Sequence, residues 1–115
     1  MQLASQAGLH VIATAASRDA AYVESLGAER AADYRSSRFE DEASGVDIVV
    51  DTVGGETRER SIHVLKPHGI LVSVVSPFPE SSKPAGIRTA FFIVEVTTAP
   101  LNTLTNIFDR GKLLV

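Results

Sequence analysis

Two short apolar runs frame the middle of the chain. Val46-Asp47-Ile48-Val49-Val50 and Ile70-Leu71-Val72-Ser73-Val74-Val75 are rich in β-branched side chains, as strands buried on both faces of a parallel sheet are. Between them residues 56–65 follow a helical pattern, which Lys66-Pro67-His68-Gly69 stops. A strand, helix and strand in about thirty residues predict a βαβ unit. Upstream, Ser17 reads as a helix N-cap with Asp19 in the first turn, where the helix dipole favours a carboxylate. Ala20, Val23 and Leu26 continue that helix as an apolar line, and Gly27 ends it. Residues 36–44 are polar and acidic, with Phe39 the one large apolar side chain, and read as a surface loop or a short helix. Residues 76–88 hold three prolines and several serines and predict a mobile stretch without a regular element. Pro100 suits the first turn of a last helix that carries Leu101, Leu104, Ile107 and Phe108 on one face and closes at Gly111. Strands alternating with helices predict a doubly wound α/β sheet.

Composition narrows the partners more than the fold. With 115 residues the chain has the length of one domain with a modest core. Its net charge of −3 comes from scattered acids and bases, with no basic patch, which argues against nucleic acid as a partner. The absence of cysteine excludes a disulfide framework and any thiolate metal site, and fits a cytoplasmic protein. No apolar run approaches the length of a membrane span, and the N-terminus lacks the basic and apolar segments of a signal peptide.

The candidate chemistry gathers at strand ends. Asp51-Thr52-Val53-Gly54-Gly55 follows the first apolar run, at the carboxyl end where open α/β sheets place their ligands. Glycine there serves close approach of a ligand, a tight turn, or both. Asp51 reads equally as a functional carboxylate and as an acceptor of backbone hydrogen bonds. His10, His63 and His68 have no metal-ligand spacing, and neither a nucleophile elbow nor a catalytic carboxylate pair is present. No catalytic side chain and no metal ligand are therefore assigned.

The sequence resembles the nucleotide domain of zinc-independent medium-chain dehydrogenase/reductases, the quinone oxidoreductase-like branch. Asp51-Thr52-Val53-Gly54-Gly55 and Leu65-Lys66-Pro67 match most specifically, and Asp33-Tyr34-Arg35 resembles the motif that ends the family's third strand. Met1-Gln2-Leu3-Ala4-Ser5-Gln6-Ala7-Gly8 resembles the end of its first helix, and His10-Val11-Ile12-Ala13-Thr14-Ala15 its second strand. Ala90-Phe91-Phe92-Ile93-Val94-Glu95-Val96 is similar to its sixth strand, and residues 101–112 to its closing helix. His68 stands where the family usually has glycine, which predicts a strained or altered turn.

The resemblance implies a Rossmann-like sheet, truncated so that the first strand and the Gly-rich pyrophosphate loop are missing, as is the separate catalytic domain. In the strand order 3-2-1-4-5-6 the first strand is central, so its absence predicts either direct pairing of residues 11–14 with residues 46–50, the simpler outcome, or a gap filled by another molecule. The cofactor implied for the parental enzyme is NADP(H), with weak or no binding by this chain alone. Ser17, Arg18 and Tyr34 would hold the 2′-phosphate, since no acid precedes Asp19 at the second strand's end. The bland reading makes Ser17 a cap, Arg18 a solvated residue and Tyr34 a core filler. Thr52, Val53 and Gly54, with Ser73, Val75, Phe91, Phe92 and Ile93, would approach the cofactor, although valine and phenylalanine in parallel strands are more often core.

Two functions from different classes follow. One is the cofactor portion of a quinone or enone reductase, inactive in isolation. The other is a non-catalytic remnant that associates with itself. Residues 90–96 supply the edge strand expected to form a homodimer across a two-fold axis.

Overall fold

Every strand pairing is parallel in the computed structural model, which describes residues 1–35 and 38–114. The chain forms two units, residues 1–39 with 95–115, and residues 40–94. The first unit holds helix α1 (Gln2–Gln6), strand β1 (Ile12–Ala15), helix α2 (Ala20–Ser25), strand β2 (Arg30–Asp33) and helix α5 (Thr98–Asp109). The second holds strands β3 (Val46–Asp51), β4 (Leu65–Ser73) and β5 (Arg88–Phe91), with helix α4 (Gly55–Ser61) between β3 and β4. Helix α3 (Phe39–Glu42) lies at the junction of the two stretches of chain. Ser36 and Ser37, part of the segment expected to be a loop or short helix, lie outside the described residues.

In the first unit β1 and β2 pair from Ile12 with Arg30 to Ala15 with Asp33. Its buried side chains are the small Ala16, Ala28 and Ala32, with Phe39 at the end of its first stretch the one large one, and polar links supplement them. The Gln2 side-chain amide donates to the Leu114 carbonyl and accepts from the Leu114 N–H, both at 2.8 Å. One turn along α1, Gln6 donates to the Lys112 carbonyl. Ala20, Val23 and Leu26 are half-buried along α2, as their spacing predicts. Ser17 is not a helix cap: it starts a 3₁₀ turn, and its hydroxyl goes to Asp33 of the neighbouring strand. The apolar line of α5 forms, but Leu101, Leu104 and Phe108 remain exposed.

The second unit has the true apolar core. Ile62, Leu71 and Phe78 are buried together, with Val49, Leu65 and Ile87 packed against them. Phe78 reaches this core from the proline-rich stretch, which also forms a 3₁₀ turn at Glu80–Ser82 where no regular element was expected. On α4, Arg60 clamps the Glu40 carboxylate through Nε and Nη2, each at 2.7 Å. Strand β4 starts earlier than its sequence suggests. Val46 pairs with Leu65 and Ile48 with Ile70, so Lys66-Pro67-His68-Gly69 forms an excursion within the strand rather than a separate stop. A side chain at Gly69 would lie 2.9 Å from the Lys66 carbonyl oxygen, which explains the glycine.

Three expectations about the sheet fail. Residues 11–14 do not pair with β3: β1 and β2 form one sheet, and β3-β4-β5 another. The cost that pairing was to avoid applies only to backbone sealed from water, and water reaches β3, where Ile48 is 53% and Val50 67% exposed. The same exposure shows that β3 is covered on one face only, through Val49, and not on both. The last strand is Arg88–Phe91 rather than residues 90–96, because its partner β4 ends at Ser73, opposite Phe91. Phe92 still donates to the Ser73 carbonyl at 3.3 Å, and beyond it no ladder remains to extend.

His68 has φ of 66°, the one described non-glycine residue in the left-handed region. The departure from glycine noted in the sequence is thus a strained position. The His68→Gly variant should be more stable by about 0.5–1 kcal/mol, since relief of the left-handed cost exceeds glycine's entropic penalty. Urea titration checks this as a raised midpoint at unchanged slope.

Candidate functional site

The carboxyl ends of β3, β4 and β5 form a rim in the second unit. Asp51 and Ser73 are register partners, and both are buried. A buried carboxylate can only accept, so it needs donors on every side. Asp51 Oδ1 accepts from the Gly54 N–H at 2.8 Å and the Val53 N–H at 3.1 Å, and Oδ2 accepts from the Ser73 hydroxyl at 2.7 Å. Ser73 Oγ in turn accepts from the Val75 N–H at 3.2 Å. Of the two roles open to Asp51, the geometry gives it that of backbone acceptor. Gly54 turns the chain with φ of 77°, and a side chain there would lie 2.8 Å from Val75 Cγ1. The close approach that requires this glycine is to Val75.

Above this network the expected cofactor-facing residues divide. Thr52, Val53, Val75, Phe91, Phe92 and Ile93 are exposed, while Gly54 and Ser73 are buried. The valines and phenylalanines are therefore surface groups of the rim, not core. Only Phe91 lies within a strand; Phe92 and Ile93 follow it.

Arg58, which the sequence reading passed over, organises the segment after β4. It is buried, and its Nη1 donates to the Ser76 carbonyl at 3.1 Å, the Ser76 hydroxyl at 2.6 Å and the Pro77 carbonyl at 3.0 Å. Its guanidinium carbon lies 5.3 Å from the Phe78 ring centre, and its Nε has no hydrogen-bond partner. In sequence it resembles any solvated helix arginine, because the acceptors lie 18 and 19 residues ahead.

The first unit has its own rim, at the ends of β1 and β2. Ser17 donates to Asp33 Oδ2, and the Arg35 N–H donates to Asp33 Oδ1 at 2.8 Å. Tyr34 is exposed rather than a core filler, and the Arg35 guanidinium lies over its ring at 5.3 Å, with Nε donating to the phenolic oxygen at 3.2 Å. Arg18 projects into solvent and meets Asp19 at 3.6 Å. Ser17, Arg18 and Tyr34 thus lie near the ends of these two strands as expected, together with Asp33 and Arg35, which the sequence named only as parts of the third-strand motif.

Residues 26–115 match the family described as zinc-binding dehydrogenase. The chain belongs to that family. A probable zinc-binding oxidoreductase, mitochondrial, of Arthroderma benhamiae is 31% identical over 97% of this chain and 37% of its own length. The quinone oxidoreductase of Coxiella burnetii superimposes with a TM-score of 0.88 at 32% identity, covering 99% of this chain and 38% of that one. The Escherichia coli quinone oxidoreductase, solved with NADPH, shares the fold at a TM-score of 0.78 and 22% identity, over 97% of this chain and 41% of its own. This zinc-binding dehydrogenase family member therefore spans under half the length of the relatives it matches.

The zinc of the family's description finds no ligand set here. The chain has no cysteine, and among the described residues no three His, Asp or Glu side chains gather as a metal requires. Groups suited to a nucleotide are present instead, on each rim taken by itself. The first rim offers phenol and guanidinium donors for a ribose or phosphate, and the second offers an exposed apolar surface on a fixed turn.

In this family member, burial by itself raises the Asp51 carboxyl, but the Gly54 N–H, the Ser73 hydroxyl, the Val53 N–H and the Arg58 charge outweigh it and hold the carboxyl below the ordinary carboxylate range. A depressed native pKa contributes stability that is complete above the unfolded value, near about 4, and is lost as pH falls through the native value. Stability of the protein should therefore decline in acid below pH ~4. In Asp51→Asn the overall stability should be lower and this part of the decline flatter. Denaturation midpoints measured across that window check both.

Proposed function

We propose that this chain forms part of the cofactor-binding domain of an NAD(P)H-dependent oxidoreductase acting on a quinone or an activated double bond. The observation that carries the reading is the superposition on the Coxiella burnetii quinone oxidoreductase over 99% of the chain, in which the most specific sequence motif forms the ordered turn at Asp51–Gly54. When bound, the nicotinamide supplies the hydride; the protein's contribution is position and electrostatics. Asp51, Ser73 and Arg58 fix the backbone of the second rim, so Thr52, Val53 and Val75 present a shaped surface. At the first rim Arg18 and Tyr34 are the groups that would meet the 2′-phosphate of NADPH, the cofactor named for the Escherichia coli relative, while the hydroxyl of Ser17, expected there as well, is given to Asp33. The chain alone should not sustain turnover, because nothing in these rims positions an acceptor against the cofactor. A cytoplasmic location rests on the cysteine-free composition alone; the fungal relative is named as mitochondrial.

Titration of NADPH and NADH into the purified chain, followed by nicotinamide fluorescence, tests the reading. Arg18→Glu should weaken NADPH about tenfold and leave NADH within about twofold, since the charge is reversed only against the phosphate. Equal loss for both would remove Arg18 from the phosphate site.

The second reading, self-association, is favoured by one feature. Phe92, Ile93 and Val94 are 51%, 77% and 60% exposed, a run of apolar side chains that follows β5, the edge strand of its sheet. An edge of this kind pairs readily with a copy of itself. We expect a homodimer through residues 90–96, and Phe92→Lys should shift it to monomer in light scattering; a native chain that is monomeric at high concentration removes the interface.

A further inference from the structure

We propose that Asp33 is a specificity-determining residue of the first rim, supplying from β2 the carboxylate that the end of β1 lacks and so opposing a phosphorylated ribose. The inference rests on the nucleotide-binding reading above and adds to it a residue with the opposite effect from Arg18. In dinucleotide-binding sheets, an acid at the end of the second strand accepts the ribose 2′-hydroxyl, and its absence beside a cation admits a 2′-phosphate. Here β1 ends at Ala15 and no acid follows until Asp19. The bond from the Ser17 hydroxyl to Asp33 Oδ2, however, places a carboxylate beside the start of the turn that leaves β1.

The consequence for a phosphate is twofold. Ser17 has a single hydroxyl proton, which it gives to Asp33, so it cannot donate that proton to a ligand at the same time. The charges of the rim also balance: Arg18 lies 3.6 Å from Asp19, and Arg35 follows Asp33, whose carboxylate accepts its N–H. Two guanidinium groups, of which that of Arg35 lies over Tyr34, share the rim with two carboxylates, so a 2′-phosphate meets no surplus of formal positive charge. A 2′-hydroxyl, in contrast, can donate to the Asp33 carboxylate directly. The preference for NADPH that Arg18 confers is therefore kept small by Asp33.

The test uses the whole ¹⁵N-labelled chain with 2′,5′-ADP and 5′-AMP as probes, following the amide signals of Ser17, Tyr34 and Arg35 at millimolar ligand. The native chain should bind the two within about threefold of each other. Asp33→Asn keeps an acceptor for the Arg35 N–H and removes the charge; it should strengthen 2′,5′-ADP about tenfold without strengthening 5′-AMP. Ser17→Ala should leave 2′,5′-ADP within about twofold, because that hydroxyl is already committed. A native chain that favours 2′,5′-ADP by more than about tenfold, an Asp33→Asn variant that strengthens neither probe, or a Ser17→Ala variant that loses 2′,5′-ADP selectively would each overturn the role of Asp33. Should the native chain shift with neither probe, the inference about Asp33 falls, while the reading of the chain as part of an oxidoreductase, which expects weak or no binding by the chain alone, stands. Circular dichroism confirms that each variant folds; if Asp33→Asn does not, the native ratio and Ser17→Ala still decide.

Discussion

One buried carboxylate determines how the second unit presents its rim. Asp51 is the last residue of β3, and its side chain must be satisfied in full because burial of an unpaired carboxylate costs several kcal/mol. Its donors come from its own turn and from the register partner on β4. The same bonds that make the charge tolerable therefore join the ends of two strands and fix the loop between β3 and α4. Arg58 extends this arrangement by holding Ser76 and Pro77, the residues that leave β4's end. Without the Asp51 bonds, Gly54 and Val75 would have little reason to meet in the contact that only glycine permits.

This dependence explains what could be read from the sequence. The Asp-Thr-Val-Gly-Gly run was legible as a turn at a strand end because its logic is local: a strand, an acceptor and two glycines within five residues. The α/β class was legible for a similar reason, since strand and helix periodicities need only short windows. The partners of Asp51 on β4 and of Arg58 beyond it were not, because nothing in a helix or strand pattern records a bond across about twenty residues of chain. The link from Ser17 to Asp33 was missed in the same way. Read locally, serine before an acidic turn is a cap; only the pairing of β1 with β2 shows that its hydroxyl has a stronger acceptor across the sheet.

The errors in strand placement have a different cause. Val46 to Val50 carries the composition of a strand covered on both faces, and Ala90 to Val96 that of a full edge strand. Composition states what environment suits a segment, whereas a strand forms only where a neighbour supplies a ladder. β4 ends opposite Phe91, so the apolar side chains after it have no pairing to join. The exposed Ile48 and Val50 show the same mismatch from the other side, a sequence suited to burial on a strand that lies at the edge of its sheet.

The two units are held together by different physics. The second buries phenylalanine, isoleucine and leucine around a satisfied polar network, and its rim is set by packing. The first buries mainly alanine and is supplemented by polar links, the Gln2 clasp among them, and its rim is set by charge. Hydride transfer asks little of protein side chains, since the reactive group belongs to the cofactor. The absence of a catalytic triad or paired acids in the sequence is therefore no obstacle to an oxidoreductase reading. In the reading proposed above, discrimination between nucleotides comes instead from the small difference between one hydroxyl and one phosphate. At a rim where Arg18 and Arg35 stand with Asp19 and Asp33, that difference depends on whether each carboxylate stays with its present partner. The hydrogen bonds of Asp33 favour its staying.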